Sequence, residues 1–315
     1  MVFAFTAVLM VPNLAVAQAG DATPPDELFK LGNEAFNNGN IDQAIGHYQQ
    51  CVEARPNFKE AWYNLGIAFG RKHQFEQEIG AYEQALNTDP RYTKAMYNLA
   101  IAYEDKGDID KAIEYYEKVI EVEARAVDAR INLGILYARK GRLERAIEVY
   151  LKALELDPEV ADAHFNLGIA YGKQAAKASA PEEKNALIQK EIEAYKAAVE
   201  KNNSYHKAWY NMAVAYNRLN QVDEEITAYL EAIEAKPDYP QALFNLAFAY
   251  EEKSDPTNAL AYWRKYLEVS AELPSEAEYV ETARRQIERL EAANPAPAPA
   301  PEPRPAEEAQ PQPAP

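Results

Sequence analysis

The chain has 315 residues and carries 33 Lys and Arg against 50 Asp and Glu, a net charge of −17. An acidic chain with no basic tract grips nucleic acid poorly, because phosphate binding needs clustered cations. Its one cysteine, Cys51, excludes an intramolecular disulfide and a multi-cysteine metal site. With 48 % apolar residues, 21 Tyr and only 12 Gly, and with nine of its 20 Pro beyond Asn294, the composition predicts a nearly all-helical protein with a buried core.

In chain order, residues 1–20 carry no charge, and a mostly apolar run ends in Ala15-Val16-Ala17 and Ala19. That pattern predicts a secretory signal peptide over 1–19 and a linker over 20–24, hence a periplasmic or secreted protein. It lacks the usual basic start, and an uncleaved membrane anchor is the alternative. At the other end, residues 294–315 read NPAPAPAPEPRPAEEAQPQPAP. Alternating Pro forbids helix interior and sheet ladder alike, so the sequence predicts a disordered, polyproline-type tail.

Between these ends a 34-residue period organises the chain. Leu31-Gly32, Leu65-Gly66, Leu99-Ala100, Leu133-Gly134 and Leu167-Gly168 recur at that spacing; Met212-Ala213 and Leu246-Ala247 follow after one longer interval of 45. Seven units therefore begin near residues 25, 59, 93, 127, 161, 206 and 240. Each holds two helical stripes, such as Trp62, Leu65, Gly66 and Phe69, then Ala112, Ile113, Tyr116, Val119 and Ile120. Pro56, Pro90, Pro158 and Pro237 mark where four units end. One column is always small (Gly32, Gly66, Ala100, Gly134, Gly168, Ala213, Ala247). Another is always aromatic (Tyr48, Tyr82, Tyr116, Tyr150, Tyr195, Tyr229, Trp263). A single helix pair cannot bury such faces, but a stack can.

The motif Trp62-x-x-Leu65-Gly66-x-x-Phe69 … Tyr82 … Pro90 resembles the tetratricopeptide repeat, over residues 25–271. The resemblance implies an all-α fold of antiparallel helix hairpins, stacked into a right-handed superhelical solenoid with a concave groove. Departures from the pattern are Ala35 beside Phe36, and Glu78, Glu191 and Glu225 in a column that is otherwise Ala. A buried carboxylate must find a donor or reach solvent, so these hairpins are expected to splay slightly. The 11 extra residues of the fifth unit fall near 175–187. Ser179-Ala180-Pro181-Glu182 predicts a capped helix start there, with the insertion lengthening both helices. Residues 275–291 predict a capping helix whose inner face holds Tyr279, Ala283, Ile287 and Leu290.

The sequence offers no catalytic constellation. His47, His73, His164 and His206 share no helical face, and there is neither a phosphate loop nor a nucleophile elbow. The expectation is a protein that is not an enzyme, with no cofactor and no metal site. One column invites a binding role: Asn64, Asn98, Asn132, Asn166, Asn211 and Asn245 precede the Leu or Met of six units. Asn is a mediocre helix-interior residue. By the resemblance, this helix lines the concave face, and the column is similar to the asparagine array in the repeat domain of O-linked N-acetylglucosamine transferase, where it holds peptide substrates. The alternative is that the amides bond within the stack. Tyr63, Tyr97 and Tyr210 stand beside the column, and Arg71, Arg139, Lys173 and Arg218 lie two turns on, interrupted by Asp105 and Glu252.

Together these features predict a non-catalytic scaffold or adaptor of the cell envelope. Its groove would take extended peptide segments of protein partners with apolar and acidic residues, and no nucleic acid. A polysaccharide or peptidoglycan binder using the groove rings is the alternative, with the repeat part of a glycosyltransferase-like system less favoured.

Overall fold

The computed structural model describes residues 23–293. The signal-peptide reading and the tail reading both fall outside the described residues. Among the described residues the regular structure is entirely helical: α1 (Pro25–Asn37), α2 (Ile41–Ala54), α3 (Lys59–Arg71), α4 (Phe75–Thr88), α5 (Thr93–Lys106), α6 (Ile109–Val122), α7 (Val127–Arg139), α8 (Leu143–Leu156), α9 (Ala161–Lys177), α10 (Pro181–Lys201), α11 (His206–Arg218), α12 (Val222–Ala235), α13 (Pro240–Glu252), α14 (Pro256–Ser270) and α15 (Ala277–Ala293). The chain divides into two compact units, one ending at Leu136 and one beginning at Tyr137, so the division falls inside α7.

In the N-terminal unit, α1 packs on α2, α3 on α4 and α5 on α6, with α2 against α3 and α4 against α5. The small and aromatic columns meet inside each hairpin. A Cβ added to Gly32 would lie 2.5 Å from the Tyr48 ring, and one on Gly66 equally close to Tyr82. The ring therefore occupies the space that glycine leaves. Tyr48, Tyr82 and Tyr116 are all buried, as is Ala100 in the small column.

The C-terminal unit repeats the plan with α9 on α10, α11 on α12 and α13 on α14, and α15 against α14. Gly168 meets the Tyr195 ring as Gly66 meets Tyr82. The fifth-unit extension is unequal: α9 has 17 residues where α3 has 13, and α10 has 21 where α8 has 14. Ala180, not Ser179, is the N-cap of α10; no side chain caps it, and Pro181 opens the helix. Ala175 and Ile188 are fully buried, so the longer hairpin packs on itself rather than looping out.

The tight turns inside the hairpins need one residue in the left-handed region. Gly39, Gly107 and Gly141 supply it, and His73, Asn220 and Ser254 take the same conformation with φ between 55° and 61°. A side chain there costs about 1 kcal/mol. Between hairpins the helices stop two residues before Pro56, Pro90, Pro158 and Pro237. Trp62 Nε1 donates to the Pro56 carbonyl at 2.8 Å and Trp209 Nε1 to that of Asn203 at 2.8 Å, tying each turn between hairpins to the helix that follows it.

Candidate functional site

The Asn column lies on the first helix of each hairpin, and its amides bond within the stack. Asn98 Nδ2 donates to the Tyr63 hydroxyl (3.2 Å) and approaches that of Tyr82 (3.5 Å). Asn132 Nδ2 donates to Tyr97 (2.9 Å) and Tyr116 (3.2 Å), and Asn245 Nδ2 to Tyr210 (3.1 Å). Each amide thus ties its own hairpin to both helices of the preceding one. Burial pushes the Tyr82 and Tyr116 phenols well above their ordinary range, so they remain neutral hydroxyls.

Where the neighbouring column lacks a tyrosine, the pattern changes. Phe29 has no hydroxyl, and Asn64 Nδ2 instead donates to Asn33 Oδ1 at 2.8 Å, which also accepts from Tyr48 at 2.7 Å. Phe165 likewise offers none, and Asn211 bonds Tyr195. Asn166, whose counterpart residue is Ile131, is half-buried and has no hydrogen bond among the described residues.

The same helices line a cleft in each unit. In the N-terminal unit a cavity of about 330 Å³ is walled by Asn33, Phe36, Asn37, Tyr48, Asn64 and Ile67. In the C-terminal unit one of about 230 Å³ is walled by Tyr210, Gln241, Phe244, Asn245, Glu276 and Tyr279. Both combine amides with apolar floor. Asn33 and Asn37 were not singled out from sequence; they occupy the Ile67 and Arg71 positions of the first hairpin, so column identity alone could not reveal them.

The basic row has mixed duties. Arg71 and Lys173 are exposed, as is Arg139. Arg218 is half-buried, and its Nη1 holds Glu191 Oε2 at 2.7 Å. Glu191 is one of the three carboxylates in the Ala column, and all three are buried. For two of them a glycine on the opposite helix leaves the room. A Cβ on Gly70 would lie 2.6 Å from Glu78 Oε1, and one on Gly172 2.5 Å from Glu191 Oε1. Asn217 Nδ2 donates to Glu225 at 3.0 Å. Burial, reinforced by the Asp105 charge, raises Glu78 to about 7. Burial raises Glu225 to about 7 as well, against the Asn217 hydrogen bond.

The groove tyrosines are packed rather than free. Tyr63 lies 5.4 Å edge-on from Tyr92, Tyr97 lies 5.6 Å edge-on from Tyr116, and Tyr210 is tilted 5.3 Å from Tyr239. On α15 the buried face carries Val280, Ala283 and Leu290, while Tyr279 is 51 % exposed and lies against Phe244 at 5.3 Å. Of the positions expected on the inner face, Ala283, Ile287 and Leu290 pack inward, and Val280 takes the place expected for Tyr279.

Tetratricopeptide-repeat family models match residues 29–95, 66–129 and 97–161, then 149–180 and 241–269, with a TPR-repeat model over 215–254. The chain is a tetratricopeptide-repeat protein. No curated protein sequence matches it. Among solved structures, MamA is 29 % identical, with a TM-score of 0.50 over 59 % of this chain and 94 % of that one. The C-terminal part of a TPR repeat-containing protein from Cytophaga hutchinsonii is 16 % identical, with a TM-score of 0.65 over 79 % and 98 %. YrrB, described as a TPR protein with an unusual peptide-binding site, is 19 % identical, with a TM-score of 0.51 over 62 % and 95 %. The last two likenesses concern the fold alone.

Proposed function

We propose that this tetratricopeptide-repeat protein is a non-catalytic scaffold of seven repeats that holds extended peptide segments along the first helices of its hairpins. The supporting observation is the cleft found on those helices in each unit, where amides sit beside apolar floor. The peptide-binding site in YrrB's title is in keeping with this use of the fold. Because the Asn98, Asn132 and Asn245 amide N–H groups serve the stack, they offer a peptide chiefly their carbonyl oxygens. Asn166 keeps both halves of its amide available, with exposed Lys173 two turns on for an acidic residue. The glycan reading has less support, since a sugar platform needs an open ring face and Tyr63, Tyr97 and Tyr210 pack against neighbouring rings. Export to the cell envelope is part of the proposal and rests on residues 1–19, outside the described residues.

Peptides selected by phage display on the full chain test this reading. An amide hydrogen bond contributes about 0.5–1.5 kcal/mol net, so Asn166→Ala should weaken selected peptides about 2- to 12-fold without lowering stability. Unchanged affinity, or binding to chito-oligosaccharides with no peptide selected, would overturn it.

A further inference from the structure

In the sixth hairpin a cavity of about 360 Å³ opens between α10, α11 and α12. Trp209, Met212 and Tyr216 line it from α11, Glu224 and Ala228 from α12, and Lys196 from α10. Trp209 and Tyr216 are seven residues apart, about 10 Å along one face of α11, and Asn211 stands on nearly the opposite face. The cavity is therefore separate from the candidate groove. Trp209 is held in place by the bond from its Nε1 to the Asn203 carbonyl.

Other hairpins show what this place ordinarily holds. Tyr216 shares a column with Tyr103, Tyr137, Tyr171 and Tyr250, and each of those four rings is covered from the second helix of its own hairpin. A cation lies over three of them: Lys111 at 4.7 Å from the Tyr103 centroid, Arg145 at 5.7 Å from Tyr137 and Lys190 at 5.7 Å from Tyr171. A second tyrosine stacks on two: Tyr115 on Tyr103 at 5.7 Å and Tyr262 on Tyr250 at 5.5 Å. The sixth hairpin has Glu224 at the cation's position and Ala228 at that of the stacking ring. Among the described residues neither a ring nor a cation lies over Tyr216, and Glu224 has no ion pair. Its neighbour Asp223 is held by Lys253 at 2.6 Å. Burial raises the Tyr216 phenol, and the Glu224 carboxylate beside it adds to the rise. Two changes thus bare the ring, and one of them sets an anion where three other hairpins set a cation. An aromatic face and a carboxylate together attract a cation, and Met212 and Ala228 offer its carbon stem an apolar surface. We propose that the cavity of Trp209, Tyr216 and Glu224 takes a lysine or arginine side chain of a protein partner, supplying from outside the cation that Lys111, Arg145 and Lys190 supply from within. The inference does not depend on any groove ligand, and its test uses none.

The test titrates the full chain with end-capped glycine pentapeptides carrying arginine, lysine, norleucine or glutamate at the centre, and follows the three indole N–H resonances. With the arginine and lysine peptides the Trp209 resonance should move saturably, while those of Trp62 and Trp263 stay. The norleucine and glutamate peptides should move none of them. Glu224→Gln should weaken the basic peptides about 2- to 5-fold, as loss of an exposed ion pair does, and Lys196→Ala should tighten them. Glu224→Lys should close the site to both, because it restores the arrangement of Lys111 on Tyr103. A Trp209 resonance unmoved by either basic peptide would overturn the proposal. So would an equal response to norleucine, which means a merely apolar slot, affinity indifferent to Glu224→Gln, or binding lost with Lys196→Ala. Tetramethylammonium moving Trp209 where both basic peptides fail would assign the cavity to a small free cation and also overturn it.

Discussion

Replacing Glu78 by Gln removes an ionisable group from a buried place while keeping its shape. In the folded chain the carboxyl titrates near 7, against an ordinary 4.5. A raised carboxyl pKa means that the native state holds its proton more tightly than the unfolded chain does. The group is harmless below the unfolded value and increasingly destabilising as pH climbs from 4.5 through 7. At 1.36 kcal/mol per pH unit the gap amounts to about 3 kcal/mol, and solvent reach at the groove side brings it to about 2–3. For a cooperative unit of about a hundred residues that corresponds to roughly 8–15 °C in Tm. Melting curves of wild type and Glu78→Gln at pH 4 and pH 8 measure it. The two proteins should melt nearly together at pH 4, and the variant should melt higher at pH 8. A difference independent of pH, or a variant that is weaker at pH 8, would refute the burial argument.

Tyr150→Ala should cost about 3–5 kcal/mol by urea denaturation, because the ring is 1 % exposed and its removal leaves a cavity. Gly66→Ala should cost about 1–3 kcal/mol in the same assay, since the new methyl collides with the Tyr82 ring. His73→Gly and Ser254→Gly should each raise stability by about 0.5–1 kcal/mol by relieving left-handed backbone at a turn. Arg218→Ala should strand the buried Glu191 carboxylate and destabilise by about 3–5 kcal/mol at neutral pH, less at pH 4 where that carboxyl can protonate.

Much of the fold was legible because a stack of hairpins writes its period into the chain. Each buried face recurs at a fixed spacing, so Gly32 and Tyr48 announce their columns without any knowledge of their contacts. Direction was harder to read. The Asn column is equally regular whether its amides meet a ligand or a tyrosine, and only coordinates show that Asn132 donates to Tyr97 and Tyr116. On the cap, Ala283, Ile287 and Leu290 follow the helical period, but Tyr279 and Val280 both suit an inner face and Val280 takes it. The lengthening of both α9 and α10 was legible, but not the cap: Ser179 looks like one, yet the helix begins after Ala180.

The pairing of Gly70 with Glu78 and of Gly172 with Glu191 has a consequence for evolution and engineering. In the third and seventh hairpins the roles are exchanged: Glu104 stands at the column position opposite Ala112, and Glu251 at that opposite Ala259. In these four hairpins bulk on one helix is matched by its lack on the other, so the two positions form a single trait spread over both arms. Moving the Glu78 arm opposite Glu104 would set two carboxylates in one place, so within this set the interchangeable module is the whole hairpin.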